Sequence, residues 1–319
     1  MSAVVFYHHP CLDGSAAAWA AHEILGDNAL YLPLTYSAKD DIVGTILDAS
    51  VSAEIVYFLD YHPPKRVLEE VLKTTEVILL DHHETTRKEL GDMSHPRLWM
   101  QLDMAQSGAS LAWQFFQPKT PVPPLIKAVE AIDLHQVDAL GGEENFYAVG
   151  AALDSIPLVD FKLAVDAFKA QAMTPIEELA AQGKKVAKEQ LKQAKEQLQN
   201  MVYIDVPYPK KPDLKLPAVQ GNIADYGRVM SGLLQQIPNK TPSVEAEHSP
   251  VAMIYQEEDD GVMSLSFRGN LPFDAAEFAE WVASHGQFTG GGHKQSAAAR
   301  LPLLAFYKLF ADLPFRHGN

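Results

Sequence analysis

Cysteine is all but missing from this sequence: Cys11 stands alone among 319 residues. An intrachain disulfide is thereby excluded, and the fold must be held by its core. No apolar run reaches the ~18 residues needed to span a bilayer. No basic region precedes an apolar stretch near the N-terminus, and residues 4–7 are too short for a signal-peptide core, so a cytoplasmic protein with no membrane partner is expected. Positive charge is also scarce. Lys and Arg number 26 against 41 Asp and Glu, a formal net charge of −15. Such a surface repels a long polyanion and offers no counterion-release footprint, which argues against a long nucleic-acid partner. Internal repeats and low-complexity tracts are missing too.

What is present is ample apolar material, 47% of the chain, over a length that suggests about two domains. The organising stretch is Val77-Ile78-Leu79-Leu80, running into Asp81-His82-His83. An apolar run bounded this way reads as a buried strand of a parallel sheet. In open α/β sheets, ligands gather beyond the carboxyl ends of such strands. The pattern recurs. Val4-Val5-Phe6-Tyr7 runs into His8-His9-Pro10-Cys11-Leu12-Asp13-Gly14, and Ile55-Val56-Tyr57-Phe58-Leu59 runs into Asp60-Tyr61-His62. Three strand tips delivering carboxylate and imidazole to one crevice point to a divalent metal site.

Between the strands the chain reads as helical. Residues 15–25 are alanine-rich and end at Gly26. A strand over 29–35 leads through a polar turn to a helix over 40–49. Pro63 and Pro64 open a helix over 65–73. A strand over 99–103, a helix over 107–116 and a helix over 125–132, ending in Asp133-Leu134-His135, follow. Residues 176–200 form a long connecting helix with Leu179, Val186, Leu191 and Leu198 on its apolar stripe. The second domain begins near Tyr203, with a proline- and lysine-rich loop over 207–217. A strand pair, 251–255 and 262–268, delivers Arg268 at its tip. A helix over 274–284 precedes Gly290-Gly291-Gly292-His293. Consecutive glycines let backbone amides approach and cup an anion. The expected fold is α/β, with a parallel-sheet domain over 1–160 carrying helices on both faces, a helical linker over 161–202, and a smaller α/β domain over 203–319.

The strand ending in Asp-His-His, the upstream Leu12-Asp13-Gly14 tip, the strand-end Asp60, and Gly290-Gly291-Gly292-His293 followed by Ala297-Ala298-Ala299 resemble the DHH phosphoesterase superfamily. The likeness is to the branch completed by a C-terminal DHH-associated domain, and it covers about residues 4–300. It implies that Asp60 bridges two ions and that Asp13, Asp60, His82 and Asp133 hold one of them, with Asp138 as the fallback for Asp133. Asp81 is either a ligand or a group that orients His82. His83 is placed to meet substrate phosphate. Asp81, His82 and His83 are the candidate catalytic residues. The family's usual first motif has two aspartates spaced D-x-D, and here Cys11-Leu12-Asp13 keeps only the second. A second ion then depends on His8 or His9, on Asp60, and on Cys11 as a thiolate. The alternatives are a weaker second ion, or one ion beside a buried thiol. Mn²⁺ suits such ligands, with Mg²⁺, Co²⁺ and Zn²⁺ as alternatives. The glycine run Gly290, Gly291 and Gly292, with Arg268 and His293, would bind a second phosphate or terminal nucleotide, and Phe288 either stacks on a base or packs in the core.

The activity implied is hydrolysis of phosphodiesters in short nucleotide substrates: short oligoribonucleotides, linear dinucleotides or cyclic nucleotides. A phosphomonoesterase and a polyphosphate or pyrophosphate hydrolase are the neighbouring readings. A non-catalytic nucleotide-binding protein is the alternative of another class. A homodimer is compatible with the sequence.

Overall fold

The computed structural model describes residues 3–35, 42–221, 249–258, 261–269, 271–286, 288, 290–311 and 313, with only the backbone of His293. Asp40, the polar turn before it, Asp259 and Asp260 lie outside the described residues. The chain divides into two compact units, Met1–Ala187 and Lys188–Asn319. The segment expected as a linker, 161–202, is shared between them. No helix among the described residues is long and apolar enough to cross a membrane.

The first unit is built on five parallel strands: β1 (Ala3–His8), β2 (Ala29–Leu34), β3 (Ile55–Leu59), β4 (Glu76–Asp81) and β5 (Leu98–Leu102). Their order is β2-β1-β3-β4-β5. The winding direction therefore reverses between β1 and β3, the switch point where open sheets of this kind bind ligands. The continuous apolar runs are explained by burial on both faces. On one face, helices α2 (Ile42–Ser50) and α3 (Lys65–Val71) bring Ile46, Val67, Leu68 and Val71 to Val4, Phe6, Val56, Phe58 and Leu79. Phe6 and Phe58 are paired in the β1–β3 register and stack at 5.2 Å.

The other face carries α1 (Leu12–Leu25) and α5 (Gly108–Phe116). Ala16, Ala17, Ala18, Ala20 and Ala21 are all buried, so α1 lies close to its neighbours without bulk between them. Trp19 then fills the gap beyond, against Trp113 of α5 at 5.4 Å and Phe168 at 5.5 Å. Helices α4 (Glu84–Leu90), α6 (Pro124–Asp133), α7 (Glu143–Leu153) and α8 (Phe161–Gln171) complete the unit. Helix α9 (Ile176–Leu198) begins in it and crosses its boundary. The buried stripe of α9 differs from expectation. Leu179, Gly183, Ala187 and Ala194 are buried, while Val186 is exposed. The reason is the close approach of α7: a Cβ on Gly183 would lie 1.9 Å from the Ala148 carbonyl oxygen.

Among the described residues, the second unit has six strands in the order β10-β11-β9-β8-β7-β6. They are β6 (Val202–Tyr208), β7 (Lys211–Gln220), β8 (Val251–Glu257), β9 (Val262–Gly269), β10 (Gly290–His293) and β11 (Ser296–Pro302). All neighbours are antiparallel except β7 and β8. The loop expected over 207–217 is instead the end of β6 and most of β7. Its prolines misled because β8 joins β7 only at Ala218, Val219 and Gln220. Pro212 and Pro217 lie before that point, where β7 is flanked by β6 alone and, near Pro212, the register shifts, and edge positions and bulges tolerate proline. Helices α10 (Ala275–Ser284) and α11 (Leu303–Leu309) pack Phe278 and Phe306 into a core with Phe267 and Leu265. Asp274 caps α10 by accepting the Glu277 N–H at 3.0 Å.

Candidate metal centre

The side chains at the switch point come from the ends of β1, β3, β4 and α6 and the start of α1, and the start of α5 adds backbone amides. Asp60 is at the centre. It follows β3 in a left-handed backbone conformation, φ 54°, rare for a side chain larger than glycine. Its carboxylate is 1% exposed, and its two oxygens face different groups. Oδ2 lies 3.4 Å from His8 Nδ1 and 3.6 Å from Cys11 Sγ. Oδ1 lies 3.2 Å from His82 Nε2 and 3.7 Å from His83 Nδ1.

His82 Nε2 also lies 3.5 Å from Asp13 Oδ2 and 3.5 Å from Asp133 Oδ2. Asp133 is the last residue of α6, and the structure brings it, not Asp138, to the site. Asp138 lies in a short 3₁₀ turn further on. Asp81 is fully buried and tied to its own loop. It accepts the backbone N–H groups of His82 (2.7 Å) and His83 (3.2 Å), the His83 Nδ1 (2.7 Å) and the Thr86 hydroxyl. Its imidazole partner is therefore His83.

Asp13 is fixed by the start of α5. The N–H of Gly108 donates to its Oδ2 at 2.6 Å, and that of Ala109 to its Oδ1 at 3.0 Å. Backbone amides at a helix start have no partner within the helix, so they are available to a carboxylate. Only glycine fits there: a Cβ on Gly108 would lie 2.7 Å from the Asp60 Cβ and 2.9 Å from Asp13 Oδ2. Gly14 has a similar role, since a Cβ on it would lie 2.3 Å from the His8 carbonyl oxygen. Sequence reading missed Gly108, Ala109 and Thr86. The signal for the first two was present in Ser107-Gly108-Ala109, an N-cap serine followed by small residues.

The electrostatics are those of a site with an excess of buried negative charge. Burial, then the neighbouring Asp60 and Asp133 charges, push the Asp13 carboxyl up to about 8. Burial also raises Asp133. Burial alone would raise Asp60, but hydrogen bonds from His8 and His82 hold it well below the usual carboxylate range. His83 overcomes the same penalty at Asp81. Burial disfavours a charged His82, yet its hydrogen bond to Asp60 and the charges of Asp133 and Asp13 raise it well above an ordinary histidine. His83, opposed by burial and favoured by Asp81, rises to about 9. Burial and the surrounding carboxylates push the Cys11 thiol up. Divalent cations would offset this crowding, and the donors fit them. Among the described residues, three groups could hold an ion: Asp13, His82 and Asp133; His8, Cys11 and Asp60; and Asp60, Asp81, His82 and His83. In each, the donor atoms lie within 4.8 Å of one another. His9 belongs to none of them and sits edge-on to Tyr7 at 6.1 Å.

In the second unit, the glycine run is not the anion-cupping turn expected. Gly290, Gly291 and Gly292 pair with Ala299, Ala298 and Ala297 as edge strand β10. Their lack of side chains serves close packing: a Cβ on Gly290 would lie 2.4 Å from the Ala279 carbonyl oxygen of α10. Ser296 pairs with His293 on one side and Arg268 on the other, so these positions share one end of the sheet. The Arg268 guanidinium donates to Ser266 Oγ (3.1 Å) and the Phe267 carbonyl (2.8 Å). The His293 side chain lies outside the described residues, and Phe288 is half-buried.

A family model described as the DHHA1 domain matches residues 228–313. Among curated proteins, the uncharacterized protein R106 of Acanthamoeba polyphaga mimivirus is 27% identical over 142 residues, which are 41% of this chain. The match spans 33% of that protein's length. Among solved structures, the exonuclease RecJ bound to manganese superposes with a TM-score of 0.50 at 16% identity, over 98% of this chain and 91% of that one. CDC45 from Entamoeba histolytica gives 0.50 at 8% identity, over 98% and 95%. At such identities the likeness is one of fold. The DHHA1 match in the second unit and Asp-His-His at the end of β4 in the first are features this chain has in common with the DHH phosphoesterase superfamily that its sequence resembles.

Proposed function

We propose that the protein is a divalent-metal-dependent phosphoesterase, and specifically a phosphodiesterase of short nucleotide substrates. The observation that carries this reading is the division of Asp60, one oxygen toward His82 and the other toward His8 and Cys11. A carboxylate so placed suits two neighbouring ions. Divalent ions held by these residues would supply Lewis acidity, which makes bound water a better nucleophile and offsets charge on phosphoryl oxygens. Mn²⁺ fits the mixed carboxylate and imidazole donors, and the RecJ structure of shared fold is bound to manganese.

The chain's own groups have separable tasks. Gly108 and Ala109 hold both oxygens of Asp13 in place. Thr86 and the loop amides fix Asp81, which in turn fixes the His83 ring through Nδ1. Nε2 of His83 is then the atom proposed to meet a phosphoryl oxygen. Arg268 and the end of β10 are proposed to bind a second phosphate. The net charge of −15 favours small substrates over a long polyanion.

The test is turnover, with Mn²⁺, of a diadenylate, a five-nucleotide RNA, cyclic AMP, cyclic di-AMP, 3′-phosphoadenosine 5′-phosphate and pyrophosphate. Cleavage of the short diesters, lost in Asp60→Ala and His82→Ala, is expected. A preference for pyrophosphate or the monoester moves the assignment to the neighbouring hydrolases. Robust cleavage by both pure variants overturns the site assignment. No turnover with any divalent ion leaves a nucleotide-binding protein.

A further inference from the structure

We propose that His8, Cys11 and Asp60 Oδ2 form a thiolate-containing metal position that takes a thiophilic divalent ion such as Zn²⁺, Co²⁺ or Cd²⁺. It stands beside a harder position made by Asp13, His82, Asp133 and Asp60 Oδ1. The two positions thus select different ions. This rests on the metal-dependent reading of the same site and adds to it which kind of ion goes where.

The cysteine's placement is the first argument. Cys11 is the N-cap of α1, with extended backbone angles of φ −144° and ψ 135°. That position favours Ser, Thr, Asp or Asn, whose side chains accept a backbone N–H. The Cys11 side chain makes no such cap bond. Its Sγ is directed instead at Asp60 Oδ2, 3.6 Å away. The second argument is convergence: His8 Nδ1 comes within 3.4 Å of that same oxygen. Close packing of Gly14 on the His8 carbonyl folds the turn back, so that Cys11 is brought beside the end of β1. One sulfur, one imidazole nitrogen and one carboxylate oxygen therefore lie within 4.8 Å of one another.

The third argument is donor chemistry. Thiolate and imidazole favour Zn²⁺, Co²⁺ and related ions, whereas a carboxylate-rich set favours Mg²⁺ and Mn²⁺. Asp13, Asp133 and Asp60 Oδ1 around one imidazole make the second kind. Binding at the first position replaces the S–H bond with a sulfur–metal bond. The proton leaves to solvent, and nothing is oxidised or reduced.

The test uses the full-length chain after chelation, titrated with Co²⁺ and Cd²⁺. Because Cys11 is the sole cysteine, any thiolate-to-cobalt charge-transfer band reports on it alone. The expected result is a near-ultraviolet band that saturates with one ion per chain and vanishes in Cys11→Ser. That variant loses Cd²⁺ affinity by roughly tenfold or more, with a much smaller change for Mn²⁺. Cys11→Asp shifts the preference toward Mn²⁺. Cobalt bound at saturation without the band overturns the proposal, and so does a band that survives Cys11→Ser. If Cys11→Ser fails to fold, wild-type thiol reactivity decides: Cd²⁺ must protect the thiol from a disulfide reagent, and equal rates with and without it reject the position. The band is read without substrate. A band without turnover therefore removes the phosphoesterase reading alone, and Mn²⁺-dependent turnover without a band removes the thiolate position alone.

Discussion

At Gly108, two opposing effects of a single methyl group can be weighed. Alanine there would raise helix propensity by about 1 kcal/mol. The same methyl would press on Asp60 Cβ at 2.7 Å and Asp13 Oδ2 at 2.9 Å, both fixed in the buried site. Gly108→Ala is therefore expected to fold but to weaken Mn²⁺ binding on the order of tenfold or more. Isothermal titration measures this, and an unchanged affinity would show that α5 does not set the Asp13 geometry. Thr86 tests the other carboxylate. It is fully buried, and its hydroxyl donates to Asp81 Oδ2. Thr86→Val keeps the shape and removes that donor, at a cost of about 1–3 kcal/mol. We expect kcat to fall with little change in KM, and Thr86→Ser to restore it. A KM effect alone would contradict a role through Asp81 and His83.

Among the elements, α9 and β7 show how neighbours overrule local pattern. Leucine and valine spacing favoured a stripe through Val186, yet α9 turns small residues inward because α7 approaches at Gly183. Gly183→Ala improves helix propensity and is nonetheless expected to destabilise the first unit, since its Cβ would lie 1.9 Å from a backbone oxygen that cannot swing aside. The loss should exceed the ~1 kcal/mol propensity gain, and chemical denaturation reads its sign. The strands β1, β3 and β4 and the alanine-rich α1 were legible from sequence because their apolar runs and small-residue spacing act locally. Strand β7 was not, because whether Pro212 and Pro217 are tolerated depends on where β8 joins.

For the whole molecule, the buried carboxylates tie stability to both metal and pH. Ligand at a hundred times its dissociation constant adds about 2.7 kcal/mol. Chelation should therefore lower the melting temperature, and Mn²⁺ should restore it. After chelation, Asp13 is pushed up to about 8 and His83 to about 9. Both hold protons when folded that they release when unfolded, so stability falls as pH rises. Asp60 and Asp81 are lowered and titrate in acid, outside this window. The chelated protein's melting temperature should fall from pH 6.5 to 9, with a smaller slope in Asp13→Asn. A flat or rising profile in calorimetry contradicts the sign.

The sequence by itself determined the parallel sheet, the strand tips that carry the donors and the resemblance to the DHH phosphoesterase superfamily. These follow from short-range causes: hydrophobic period, strand-end chemistry and motif order. Only the tertiary structure brings Asp133 rather than Asp138, and His8 rather than His9, among the clustered donors. It also gave Asp81 its partner in His83 and divided the oxygens of Asp60 between two groups of donors. Those outcomes depend on where side chains from distant segments meet around the β1–β3 switch point, to within an ångström or so. Spacing along the chain carries no record of that distance.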